Sequence, residues 1–213
     1  DDLSPWSRTA SWSEHWPIKP DIVLEGGNLV LCPPPPASQC TDLSLLTVSN
    51  AYPNRSFSTS WASSASTALA ARMAADIWAD YPDLWPETVR ALLVSSARWT
   101  STMRAHISPS PSKQEYARLF NRYGYGVPDA IRAKKSASSN FTLIIEDQIS
   151  PYRRHGNSPP IHNEMNVYQL PWPIQALRAL GSHKVRLRVA LSTIISPNPA
   201  EAARGSKQRY ATY

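Results

Sequence analysis

The sequence predicts an α/β fold over its first two thirds and a small β-rich unit after it, with the change of texture at about residue 139. Three observations carry this. Short apolar runs bounded by proline or glycine alternate with helical stretches as far as Ala133. The longest helical stretch, from about Ser60 to Ala79, is small and apolar on nearly every face, so it is expected to be buried at the centre of a sizeable domain. Beyond residue 139 strand-like stretches take over, among them Lys184 to Leu191, where basic and apolar residues alternate with the period of a strand that has one wet face.

The bulk properties fit a folded chain. The protein has 213 residues, enough for one large domain or two small ones, and is 42% hydrophobic and 18% charged. Twenty prolines against seven glycines predict stiff turns and short regular elements. The net charge of +6 is spread over Arg132-Lys134-Lys135, Arg153-Arg154, Lys184-Arg186-Arg188 and Arg204-Lys207-Arg209, each of which reads as a solvated face. No nucleic-acid or membrane partner is expected, and no apolar run has the length of a membrane span. Cys32 and Cys40 bracket Pro33-Pro34-Pro35-Pro36 in an exposed loop that runs to Asp42. Two free thiols are the favoured reading, because a disulfide needs Ala37, Ser38 and Gln39 to fold the chain back on itself. That loop offers too few ligands for a metal, and no cofactor is expected.

Taken in order, Asp1 to Trp16 reads as loop with one short strand. Ile22-Val23-Leu24, between Pro20 and the Gly26-Gly27-Asn28 turn, reads as a buried strand, and Leu45-Leu46-Thr47-Val48 as a second. Asn50 to Arg55 is the loop that delivers Phe57 and Ser60. The long helix ends before Tyr81-Pro82, since proline disfavours helix in the residue before it. Pro86 suits the first position of the next helix, with Glu87 in the first turn and Val89, Leu92, Leu93 and Ser96 on one buried face. Ser108 to Pro111 is a loop, Glu115 to Arg122 a short helix, Gly124 and Gly126 a turn, and Pro128 to Ala133 a last short helix. In residues 140–213, Phe141 to Ile149, Met165 to Leu170 and Lys184 to Leu191 are strand candidates. Pro173 to Leu180 is a short helix stopped by Gly181, and the tail from Asn198 is polar.

The candidate chemistry sits at Ser58-Thr59-Ser60-Trp61-Ala62, where a polar turn meets the long helix. As residues alone, Ser60 reads as a helix N-cap. A serine there also faces unpaired backbone N–H groups and the positive end of the helix dipole, which suits developing negative charge on an acyl-transfer pathway. The stretch Ser58 to Ser64 resembles the nucleophile motif of the subtilisin-like serine peptidases, Gly-Thr-Ser-x-Ala-x-Pro, with serine at 58 in place of glycine and at 64 in place of proline. Lys19 to Gly27 resembles that family's Lys-Pro-Asp-Val-x-Ala-Pro-Gly strand and turn, and Trp85 to Leu93 the helix after the central one. Tyr123 to Ala130 resembles its Gly-x-Gly-x-x-Asn-Ala segment. The resemblance spans roughly Asp1 to Ala133, and Leu170-Pro171-Trp172-Pro173 with Pro197-Asn198-Pro199 is similar to the region after the catalytic domain in some bacterial members.

The resemblance implies that residues 1–139 are the C-terminal part of a three-layer, parallel-sheet peptidase domain and that residues 140–213 are an appended β-rich domain. It implies an endopeptidase acting on a protein or peptide substrate, with Ser60 as nucleophile and Ser58 and Thr59 lining the approach of the substrate backbone. Trp61 either packs into the core or restricts that site. The family's chain order is Asp, His, Ser. His15 lacks the family's His-Gly-Thr surroundings, and Asp1, Asp2 and Asp21 lack its Asp-x-Gly context, Asp21 fitting a structural role. His106, His155, His162 and His183 follow the serine and read as surface residues. The triad aspartate and histidine and the oxyanion asparagine are therefore expected in a missing N-terminal part of the same polypeptide, and this portion alone is expected to be inactive. The alternative is a non-catalytic homologue with a binding or scaffold role, whereas a lipase-type hydrolase lacks its Gly-x-Ser-x-Gly elbow here.

Overall fold

The structure, a computed structural model, describes residues 3–9, 18–31, 37–138, 142–153, 155, 156, 158, 159 and 161–194. Six helices form among the described residues. They are α1 (Ser63–Asp80), α2 (Pro86–Ser96), α3 (Ser101–Arg104), α4 (Lys113–Tyr123), α5 (Ala130–Ser138) and α6 (Ile174–Ala179). The core joins three of them: Ile77 of α1, Val89, Leu92 and Leu93 of α2 and Ala133 of α5, with Met73, Ala74, Tyr81, Leu84, Ala137 and Ile144 packed around them. The expected buried face of α2 is present, with Pro86 at its start and Glu87 in its first turn. Thr100 caps α3, and α4 carries a capping box in which Ser112 Oγ accepts from the Glu115 N–H while Glu115 accepts from the Ser112 N–H. Backbone N–H groups of Ser112 and Ser108 pull the Glu115 carboxyl down to about 2. A second packed group lies at the α4 C-terminus, where Trp99 meets Phe120 edge-on at 4.8 Å and donates its indole N–H to the Gly124 carbonyl at 2.9 Å.

The sheets are small. The described residues form three two-stranded antiparallel sheets, with no parallel pair among them: β1 (Leu29–Leu31) with β2 (Ala37–Gln39), β3 (Leu45–Val48) with β4 (Phe57–Ser60), and β5 (Tyr152–Arg153) with β6 (Ile161–His162). The α/β class holds for the elements present, but the expected parallel three-layer arrangement is not formed by them. Its absence leaves α1 bare: of its 18 residues only Ile77 is buried, against the expectation of burial on every face. Within the Cys32–Asp42 stretch, Ala37–Gln39 is strand β2, paired with β1, and Pro33 to Pro36 lie outside the described residues. Cys40 is a free, half-buried thiol, and Cys32 lies outside the described residues.

Ile22-Val23-Leu24 is not a strand but a half-buried strut. Val23 N–H donates to the Gly126 carbonyl at 3.0 Å and Tyr125 N–H to the Asp21 carbonyl at 2.9 Å. Two such bonds to a turn hold an extended segment without building a ladder. Gly124 and Gly126 take positive φ of 57° and 97° there. The Asp21 carboxylate accepts from Lys19 and Arg90, each at 2.9 Å, and so ties the strut to α2. The strand expected within Asp1 to Trp16 falls largely outside the described residues, and residues 3–9 make a turn closed by Ser7 N–H to the Ser4 carbonyl.

In residues 140–213 the helix after Pro173 is present and ends at Gly181, whose φ is 54°. The long strands expected at 141–149, 165–170 and 184–191 are not formed among the described residues. In 184–191 alternation supplies an apolar face that is left open to solvent, with Val189 80% and Leu191 88% exposed. Side chains bridge the segments that flank β5 and β6. Tyr168 and Asn166 donate to Asp147, and Asn163 donates to the Ser150 carbonyl at 2.9 Å.

Two outcomes follow from the strut. Gly124→Ala places a Cβ against the Pro20 and Asp21 carbonyls at positive φ, so urea denaturation should show a loss of about 2 kcal/mol or more. Burial raises the Asp21 carboxyl, but hydrogen bonds and charge from Arg90 and Lys19 outweigh it and hold the group below its ordinary value. Its stabilisation is therefore full above the ordinary carboxylate range and is lost as pH falls through the lowered value. Asp21→Asn should melt below wild type at pH 7, and thermal melts should show the gap closing below about pH 4.

Candidate active site around Ser60

Ser60 is the last residue of β4, paired with Leu45 of β3, and it is half-buried. Helix α1 begins three residues later, at Ser63, and its N-cap is Ala62, with no side-chain cap bond. The reading of Ser60 as an N-cap is thereby corrected: it is a strand end facing a helix start across a two-residue elbow. The reason is backbone geometry. Ala62 takes φ 82° and ψ 173°, a region that favours glycine, so the chain turns sharply there before the helix can start. Ala62 N–H donates to the Gly26 carbonyl at 2.7 Å and its own carbonyl accepts from Ala65 N–H at 3.1 Å, which ties the elbow on both sides.

The Gly26-Gly27 turn is the other half of this arrangement. A Cβ on Gly26 would lie 2.5 Å from Ser66 Oγ, and one on Gly27, at φ 76°, would lie 2.9 Å from the Trp61 Cβ. The Ser66 hydroxyl lies 3.1 Å from both the Leu24 and Glu25 carbonyls and donates into that pair. Of the two roles expected for Trp61, the contact observed is packing against this turn. Neither Ala62 nor Ser66 was singled out in the sequence. The adjacent glycines were the available signal, because paired glycines mark a place where another backbone comes close.

Ser58 and Thr59 lie on the same strand as Ser60 but not on the same face. Successive strand residues alternate, so Ser58 and Ser60 share a face with their partners Thr47 and Leu45, while Thr59 faces the other way with Leu46. Ser58 Oγ accepts from Arg55 Nη2 at 3.0 Å. Among the described residues Ala62 is the one non-glycine at positive φ, so serine at 58 sits in the strand without backbone strain.

No base reaches the Ser60 hydroxyl among the described residues. His162 packs on the Tyr152 ring at 5.3 Å, His183 Nδ1 lies 2.7 Å from the Leu180 carbonyl, and His106 packs near Tyr123 at 5.8 Å. His155 sits in the exposed loop between β5 and β6. His15, Asp1 and Asp2 lie outside the described residues. Asp21 is engaged with Lys19 and Arg90. Among the described residues, no group of three or more His, Cys, Asp or Glu gathers as a metal would need, and no helix is long and apolar enough to cross a membrane.

The sequence profile of the Subtilase family matches residues 1–126, from before the strut to the Gly126 turn, with β4, the elbow and α1 inside the matched range. No curated protein and no solved structure matches the chain.

The strain at the elbow is testable without activity. Ala62→Gly should raise stability by about 1 kcal/mol, read as a higher urea midpoint, because glycine takes this φ freely. An unchanged or lowered midpoint would mean that Ala62 is not strained.

Proposed function

This chain belongs to the subtilase family of serine peptidases, and we propose that it is the nucleophile-bearing portion of an endopeptidase of that type. Ser60 Oγ would attack the carbonyl carbon of the scissile peptide bond, and a histidine would take its proton and return it to the leaving amine. The Ser60 N–H would supply half of the oxyanion hole. Ser58 and Thr59 would line the path of the substrate backbone, Ser58 on the Ser60 side of the strand and Thr59 through its main chain. The aspartate and histidine, and the strands that would complete a parallel three-layer sheet over α1, would come from a preceding part of the same polypeptide. Residues 1–139 would then be the C-terminal part of the peptidase domain, and residues 140–213 an appended unit.

The observation that carries this reading is the family match over residues 1–126 together with the place of Ser60. It stands at a strand end before an 18-residue helix, half-exposed and free of side-chain partners among the described residues. The departures at Ser58 and Ser64 favour a second reading, a homologue that binds without cleaving.

A fluorophosphonate probe separates the two. In protein carrying the preceding residues, labelling should occur and vanish in Ser60→Ala. A folded protein of that length that takes no label would overturn the peptidase reading. The 213-residue chain by itself should leave casein uncleaved.

A further inference from the structure

We propose that Asn54 is an acceptor for N-linked glycosylation, carried at the tip of the β3–β4 hairpin. The site stands whether or not Ser60 is a nucleophile. Asn54-Arg55-Ser56 is the triplet that oligosaccharyl transfer requires: an asparagine, any residue but proline, then a serine or threonine. Such triplets often arise from composition alone, so exposure and the spare capacity of the side chains decide between acceptor and accident. All three residues are exposed. They lie in the turn beyond the last strand pair, Val48 with Phe57. Arg55 N–H donates to the Ala51 carbonyl at 3.1 Å, and Ser49 N–H to the Ser56 carbonyl at 3.0 Å, which closes the turn through its main chain. Arg55 spends its guanidinium on the Ser58 hydroxyl at 3.0 Å, not on Asn54 or Ser56.

An asparagine in a turn ordinarily has one of two structural reasons. It tolerates left-handed φ, or its side chain bonds the backbone nearby. Asn54 has neither. Its φ is not positive, since Ala62 is the one non-glycine so placed among the described residues. Its amide has no hydrogen-bond partner among the described residues, and nor has the Ser56 hydroxyl. By contrast, Asn28 accepts from the Leu29 N–H, Asn163 donates to the Ser150 carbonyl and Asn166 donates to Asp147. None of those three opens such a triplet. Asn54 therefore leaves its Nδ2 free for chemistry, with the Ser56 hydroxyl free for recognition two residues on. Asn140-Phe141-Thr142 is a second triplet, whose first two residues lie outside the described ones.

The co-substrate is an oligosaccharide carried on a polyprenyl diphosphate. Asn54 Nδ2 bonds to C1 of the first sugar as the C1–O bond to the diphosphate breaks. The diphosphate leaves with the bonding electron pair, and Nδ2 gives one proton to a base of the transferase. Attachment at Asn54 would place the chain on the secretory route, where such triplets are modified. A hydrated glycan there would also cover the exposed apolar side chains beside the turn, Val48, Tyr52 and Phe57.

The test is peptide mapping by mass spectrometry of the protein purified from the cells that make it. Enzymatic release of N-linked glycans in heavy-oxygen water turns each occupied asparagine into a labelled aspartate. Label at Asn54 is expected in the wild-type chain. Among variants made in the same cells, Asn54→Gln and Ser56→Ala should each lose the mass of one glycan, and Ser56→Thr should keep it. Asn50→Gln, on the same loop but outside any such triplet, should change nothing. An unlabelled Asn54 in the wild type overturns the proposal, whether the chain carries no glycan or one at Asn140 alone. A modification of Asn54 that survives Ser56→Ala also overturns it. The wild-type map decides first, so a variant that folds poorly leaves the outcome intact.

Discussion

The stretch from Asp21 to Gly26 is the constraint on which the rest depends. It has no strand partner, yet it is bonded at both ends. Tyr125 and Gly126 hold it at one end through backbone bonds, and Ala62 and Ser66 hold it at the other. The Asp21 carboxylate adds α2 through Arg90. The elbow that presents Ser60 is thus fastened to the turn after α4 by way of one short run of chain. Its glycines let backbones approach where a Cβ would collide. Loosening the strut would release the elbow, because α1 itself offers no cap to fix its start.

Helix α2 is the second organising element, and its two ends are treated according to their polarity. At the N-terminus the Glu146 carboxylate accepts from the Trp85 N–H at 2.8 Å and from the Thr88 hydroxyl, placing negative charge where orphan donors and the dipole favour it. At the C-terminus Arg132 and Arg188 donate to the last carbonyls. Arg90, between them, reaches the Ser192 hydroxyl and the Thr193 carbonyl at 3.4 Å. The segment after residue 139 is therefore latched along α2 by polar groups, with Ile144 adding apolar contact to the core. These bonds cross the boundary that composition suggests, so the two parts of the chain are coupled through one helix.

Packing is uneven across the molecule. Five residues of α1, α2 and α5 form the buried core, while α1 outside that contact and the apolar face of the 184–191 segment are largely open to solvent. An alanine-rich helix can remain helical when bare, since alanine has the highest helix propensity. An isolated strand cannot, because its backbone groups need a neighbour. That difference explains why α1 keeps its length here while the period-two segments remain unpaired.

The sequence by itself determined what depends on neighbours close along the chain. Pro86 and Glu87 set the start of α2, Gly124 and Gly126 the turn after α4, Gly181 the end of α6, and Leu45 to Val48 a strand. The motif around Ser60 and the family it belongs to were legible for the same reason, being short strings of residues in a set order. Tertiary structure alone decided the strand end at Ser60, because the positive φ of Ala62 is imposed by the Gly26 carbonyl from 36 residues upstream. It also decided that Ser58 and Thr59 face apart, that Ile22 to Leu24 is a strut, and that Arg132 and Arg188 reach the carbonyls at the end of α2. Pairing, register and the capping of a helix end from elsewhere in the chain are properties of residues far apart, and local pattern carries no record of which of them will meet.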